Sequence, residues 1–148
     1  MDKIIIRPAR REDRAEIRGI IWDAQINPFG LHWDRFVVAE TSKDQIVGCG
    51  QIKLHGDGSS ELASVAVREQ FRGQGVGRKI IEKLVASRKN SLYLICRPEL
   101  ELFYNRFGFT SDNLKRLPPY FRIICLVASI MAKIASGNNQ RIIVMVLE

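Results

Sequence analysis

The residues best suited to chemistry lie in the stretch SVAVREQFRGQGVGRK from Ser64 to Lys79, where Gly73, Gly75 and Gly77 occupy alternate positions. Glycines so spaced let successive backbone N–H groups turn towards one point with no side chain in the way. An apolar strand-like run leads into the loop, and a basic amphipathic helix leaves it. First-turn N–H groups and the positive end of the helix dipole then face the same anion, with Arg72, Arg78 and Lys79 adding charge. This is the outline of a phosphate cradle. Gly73-Gln74-Gly75-Val76-Gly77-Arg78 lacks the third-glycine spacing of a dinucleotide fingerprint. A mononucleotide P-loop is also excluded, because Gly77-Arg78-Lys79 stands where lysine and a hydroxyl would be needed.

The elements that position this loop can be read from periodicity. Lys3 to Arg7 reads as a strand stopped by Pro8, and Arg11 to Ala24 as an amphipathic helix with Ile17, Ile20 and Ile21 on one face. After Asn27-Pro28-Phe29-Gly30, the segment Leu31 to Phe36 is irregular or a short helix. Arg35 to Glu40, Gln45 to Leu54 and Glu61 to Val67 form three consecutive strands expected to pair antiparallel, with turns at Thr41–Asp44 and His55–Ser59. Alternation puts Glu61, Ala63, Val65 and Val67 on one strand face. His32, Asp34, Glu40 and His55 are reserve candidates for a general base, although a lone histidine beside a turn reads as surface; the bland reading of Glu61 is a solvated residue just past the Ser59-Ser60 turn.

Beyond the loop, Ile80, Ile81, Leu84 and Val85 have helix spacing, and Ser91 to Cys96 is expected to be a strand buried on both faces. The strand–helix–strand crossover implies parallel pairing. Pro98 opens a helix over Glu99–Phe107, whose Leu100, Phe103, Tyr104 and Phe107 form a core stripe ended by Gly108. Phe109-Thr110 starts a brief strand, and Arg141 to Leu147 is the last one. Between them, after Pro118-Pro119, Tyr120 to Ala135 is an unusually apolar helix, followed by a turn at Gly137-Asn138-Asn139. Only ten uncharged residues separate Arg122 from Lys133, short of the ~20 needed to span a bilayer. The expected role of this helix is packing on the domain core; a subunit contact, leaving a homodimer open, and a wall over a substrate are the alternatives.

A chain of 148 residues, 46% hydrophobic, is expected to form a single domain over 1–148 and to bury roughly 70% of its unfolded surface. Its net charge of +7 favours anionic partners, which a phosphate-rich small molecule satisfies as well as a nucleic acid does. Arg7, Arg10, Arg11, Arg14 and Arg18 alternate with Glu12, Asp13 and Glu16, so a solvated helix face is preferred to a nucleic-acid surface. Cys49, Cys96 and Cys125 lack metal-ligand or disulfide spacing, and no signal peptide is evident. The expectation is a reduced cytoplasmic protein without a metal.

Two motifs and the order of elements together resemble the GCN5-related N-acetyltransferase (GNAT) superfamily. Arg72-Gly73-Gln74-Gly75-Val76-Gly77 is similar to its acetyl-CoA signature RxxGxG, preceded at the expected distance by Leu62-Ala63-Ser64-Val65-Ala66-Val67. Leu102 to Phe109, LFYNRFGF, is similar to its second block, with a tyrosine four residues before Gly-Phe. The resemblance implies an α/β (α+β) fold: a mixed, mostly antiparallel central sheet flanked by helices, here with an extra apolar helix before the last strand. It also implies acetyl-CoA as co-substrate. Pyrophosphate would sit on N–H groups from Arg72 to Gly77, with Gln74, Val76 and Arg78 in the same loop, and the pantetheine arm would pair like an added strand with Val65, Ala66 and Val67. A backbone N–H near Val65 would be the oxyanion donor, Tyr104 would protonate the thiolate, and Glu61 stands at the spacing where some members carry a catalytic glutamate. Arg97 and Leu100 depart from the family's asparagine and alanine, which puts coenzyme contacts at that corner in doubt. The implied activity is transfer of acetyl to a primary amine of a small molecule, a peptide terminus or a lysine; the alternative is a non-catalytic acyl-CoA-binding regulatory module.

Overall fold

The computed structural model describes residues 2–134 and 141–148. Apolar runs punctuated by turn residues form seven strands: β1 (Ile4–Pro8), β2 (Phe36–Thr41), β3 (Ile46–Leu54), β4 (Ser60–Val67), β5 (Leu92–Cys96), β6 (Thr110–Ser111) and β7 (Ile143–Leu147). The helices are α1 (Arg14–Asp23), α2 (Val76–Ser87), α3 (Glu101–Asn105) and α4 (Pro119–Ile134). The strands form one mixed, mostly antiparallel sheet in the order β1-β2-β3-β4-β5-β7-β6. By internal contacts the chain divides into two compact units that interleave in sequence, Met1–Lys53 with Leu62–Arg88, and Leu54–Glu61 with Lys89–Glu148.

In the first unit β1 and β2 pair antiparallel from Ile4↔Thr41 to Pro8↔Val37, and β2 and β3 from Phe36↔Gln51 to Glu40↔Ile46. The isoleucine face of α1, Ile17, Ile20 and Ile21, is buried in a cluster with Phe36, Val38, Cys49 and Ala66. Each such side chain contributes roughly 1.5–3 kcal/mol on leaving water. The opposite helix, α2, buries Val76, Ile80, Ile81 and Leu84. It comes so close to β3 that a Cβ on Gly50 would stand 2.7 Å from Ile80 Cγ2 and 3.0 Å from Leu84 Cδ1. The charged residues are also organised. Arg7 donates from Nε and Nη2 to Glu40 and from Nη1 and Nη2 to Asp13, over 2.8–3.2 Å. Arg68 donates from Nε to the Ile46 carbonyl at 2.9 Å and pairs with Glu16.

In the second unit the start of β4 pairs with β5 in parallel, at Ser60↔Leu92 and Glu61↔Tyr93, as the crossover requires. β5 then pairs antiparallel with β7 from Leu92↔Leu147 to Cys96↔Ile143. Leu92, Leu94 and Cys96 are buried, whereas Tyr93 and Ile95, expected to be buried too, are half-buried beside Leu117, Phe121 and Val144. The helix expected over Glu99–Phe107 is shorter in α-form, because Pro98–Leu100 winds as a single 3-10 turn before α3.

The expectation that the apolar helix packs on the core holds only at its start. Phe121 is fully buried, but Ile123, Leu126, Val127, Ile130, Met131 and Ile134 are each at least 49% exposed. At 100° per residue these six fall on one broad face, away from Phe121 and Cys125. The expected helix end at Ala135 and the turn at Gly137-Asn138-Asn139 lie outside the described residues. Among the described residues no helix is long and apolar enough to cross a membrane.

Candidate active site

The strand leading to the glycine loop does not keep its alternation. Ser64 has φ 58°, a left-handed conformation inside β4, and beyond it Ala66 is buried while Val65 and Val67 are only partly so. A residue of this kind re-aims a strand as a β-bulge does, so Glu61 and Ala63 no longer share one regular face with Val65 and Val67. The strained residue is held from β3. The fully buried Gln51 donates from Nε2 to Ser64 Oγ at 2.8 Å and to the Gly30 carbonyl at 3.3 Å, and the Cys49 thiol donates to the Ser64 carbonyl at 3.7 Å. Burial pushes that thiol up to about 12, which keeps it a donor.

The loop itself meets the geometric requirement. Gly73 and Gly75 have φ 77° and 79°, and Gly75 is the N-cap of α2. Only glycine enters this conformation without strain, and nothing lies within 4 Å of where a Gly75 Cβ would be, so an approaching anion finds backbone and no side chain. Val76, Gly77 and Arg78 are the first three residues of the 12-residue helix. Arg72 donates from Nε to the Val67 carbonyl at 3.0 Å, and Gln74 from Nε2 to the Gln70 carbonyl at 3.3 Å, which brace the loop. Val67 and Arg72 line an open pocket of about 390 Å³ with Ile20, Asp23, Gln45, Arg68, Glu69 and Gln70. The Arg78 side chain pairs with Glu82 along the exposed helix surface at 2.9 Å.

In the second unit Glu61 is 8% exposed and meets His55, whose Nε2 lies 2.7 Å from Oε2. Neither residue is the solvated turn residue that its neighbourhood suggests. The imidazole stacks on Tyr120, with centroids 3.6 Å apart and planes at 15°, and meets the edge of Phe121 at 5.8 Å. Phe121 stacks in turn on Tyr93 at 4.9 Å. Asp57, at the tip of the same turn, accepts from the Tyr120 backbone N–H at 2.9 Å and so caps the first turn of α4. The Ser59 hydroxyl, then the Tyr120 and Ser59 N–H groups, hold the Asp57 carboxyl down to about 2. Burial raises the phenols of Tyr93 and Tyr120, and nearby carboxylates add to it.

Tyr104 sits on α3 with its ring edge-on to Phe103 at 5.1 Å and to Phe109 at 6.1 Å. Burial, helped by the neighbouring Cys96, pushes its phenol up to about 12. A phenol already holds its proton at neutral pH, as a proton donor must, and the shift extends that range upward. Arg97, which departs from the family pattern, is exposed at the end of β5.

The family model described as "Acetyltransferase (GNAT) domain" matches residues 32–111, more than half of the 148. The chain belongs to this family. An uncharacterized N-acetyltransferase of Chlorobaculum tepidum is 32% identical over 90 residues, covering 55% of this GNAT chain and 57% of the relative. The chain thus aligns with little more than half of that protein's length. Among solved structures, Rv2747 from Mycobacterium tuberculosis, in complex with CoA and NLQ, is 22% identical over 97% of this chain and 98% of its own, with a TM-score of 0.71. N-acetylglutamate synthase from Neisseria gonorrhoeae, complexed with coenzyme A and L-arginine, is 18% identical over 97% of this chain and 33% of its own, with the same TM-score. At these identities the likeness is one of fold.

The GNAT match contains Glu61, the loop and Tyr104, but ends before α4. Four residues described above are not marked by the motifs: Gln51 in the first unit, and His55, Tyr93 and Tyr120 in the second. Gln51 leaves a trace in the sequence, as a lone amide at the end of the apolar run Ile46-Val47-Gly48-Cys49-Gly50. Tyr120 leaves none, since its stacking partner is 65 residues away in the chain.

Proposed function

We propose that this chain transfers acetyl from acetyl-CoA to a primary amine by direct attack in a ternary complex. The observation that carries this reading is Glu61, a carboxylate kept 8% exposed on a strand with no other charged residue. Burying such a group is costly, and a module that only binds coenzyme has no use for it, whereas amine acetylation needs an acceptor for the ammonium proton. In this reading the N–H groups from Arg72 to Gly77 hold the pyrophosphate, Val65 to Val67 pair with the pantetheine arm, and a backbone N–H near Val65 stabilises the oxyanion. Glu61 takes one proton from the ammonium. The free amine attacks the thioester carbonyl, the C–S bond breaks, and Tyr104 protonates the departing thiolate. Tyr104 is restored by the second proton lost from nitrogen, and the proton on Glu61 returns to water.

The net charge of +7 favours an amine that also carries a carboxylate or phosphate over a polycation. The name of the structurally similar N-acetylglutamate synthase adds acidic amino acids to that class. The three cysteines are free, which supports a reducing, cytoplasmic setting.

The test is thiol release from acetyl-CoA with glutamate, other amino acids, peptide N-termini, lysine and spermidine, together with coenzyme binding by wild type and Gly75→Trp. Turnover of a carboxylate-bearing amine, with coenzyme affinity lost in Gly75→Trp, is expected. Binding without turnover of any amine would replace the enzyme by a regulatory acyl-CoA-binding module, and unchanged affinity in Gly75→Trp would remove the loop assignment.

A further inference from the structure

We infer that His55 is a positioning residue for the Glu61 base. The inference rests on the reading of Glu61 given above and adds a residue which neither motif contains. The two side chains are 12% and 10% exposed, and Nε2 and Oε2 are 2.7 Å apart, so each is the polar partner the other needs away from water. With a proton on Nε2, the imidazole donates to Oε2. That leaves Oε1 for the substrate ammonium and fixes the plane of the carboxylate.

The imidazole is itself held. Its ring lies flat on Tyr120, and its own backbone closes the turn, with His55 N–H donating to the Ser59 carbonyl at 2.9 Å and Gly58 N–H to the His55 carbonyl at 3.0 Å. A histidine that merely covered the surface would need neither a clamped ring nor an aimed nitrogen. Charged and titratable groups around it are Glu61 on β4, Asp57 in the same turn, and Tyr120 on α4. Tyr93 lies behind Phe121 and is influenced in turn by Asp112 and Glu148.

The experiment measures kcat and acetyl-CoA KM for wild type, His55→Leu, His55→Gln and Glu61→Gln, with thermal melts and coenzyme binding as checks of folding. His55→Leu should lower kcat about tenfold, with coenzyme KM within about twofold. His55→Gln keeps an N–H donor and should recover kcat to within about threefold of wild type. If Glu61→Gln is impaired but His55→Leu keeps the wild-type rate, the His55 inference fails alone. Equal losses in the leucine and glutamine variants would likewise reduce His55 to a packing residue. If Glu61→Gln turns over like wild type, the base reading itself falls, and His55 with it.

Discussion

At the scale of single residues the site is built by burial. Burial raises the Tyr104 phenol, which widens the pH range over which it stays protonated, and in the proposed reaction it is the group that protonates the thiolate. Replacing it with phenylalanine removes the hydroxyl and little of the packing, so Tyr104→Phe should fold normally and lose about 100-fold in kcat with acetyl-CoA KM nearly unchanged. With the phenol raised to about 12, its ionisation should not reduce wild-type activity below about pH 10, and a pH–rate profile extended to that value checks it. The proposed acid and base, Tyr104 and Glu61, were singled out through the family resemblance, Tyr104 within a motif and Glu61 by its distance from Val67. His55 was legible in principle. It pairs with Ser59 across a tight turn, and Glu61 lies two residues beyond Ser59, so alternation puts both side chains on the same face as diagonal neighbours. Reading each residue along its own strand alone hides this.

At the scale of elements, boundaries were readable where a period or a turn residue spoke for them, and hidden where a distant contact decided. The antiparallel strands, the crossover and the glycine loop fall in the first group. The left-handed backbone at Ser64 and the exposure of α4 fall in the second, since an apolar sequence states that a helix needs covering and not what covers it. Glycines divide in the same way. Gly50 faces Ile80 and Leu84 at contact distance, so Gly50→Ala should destabilise by about 1–3 kcal/mol through overpacking. Gly19, inside α1 with nothing within 4 Å of its missing Cβ, should gain about 0.5–1 kcal/mol as alanine. Chemical denaturation of the two variants tests the opposite signs. The Arg7 cluster carries a pH dependence. Glu40 is held below the usual carboxylate range by its hydrogen bond from Arg7. Burial pushes Asp13 up, but bonds from Arg7 and Arg10 outweigh it, so it too lies low. The stability these groups add is present above about pH 4 and lost as pH falls through their lowered native values. Arg7→Leu should cost about 2 kcal/mol at pH 7, less than a fully buried pair because each group keeps some access to water, and should flatten the acid side of the stability curve.

At the scale of the molecule, the path of the chain matters more than its composition. It leaves the first compact unit after Lys53, re-enters at Leu62 and leaves again after Arg88, so neither unit is a continuous segment. A single domain is therefore still our expectation. Far-ultraviolet circular dichroism and tryptophan fluorescence should report one coincident unfolding transition, and two separated ones would mean two domains. The brief excursion from Leu54 to Glu61 contains the turn that carries His55 and Asp57. Its tip, Gly56-Asp57-Gly58, is exposed and composed of residues that usually mark a place where epitopes, tags or foreign loops can be spliced in at little cost. Here that signal misleads. Asp57 reaches the backbone of Tyr120, 63 positions further along, so lengthening the tip withdraws the cap from α4 and loosens the ring that steadies His55. The segment that looks most permissive to insertion is one whose length cannot be changed without consequence.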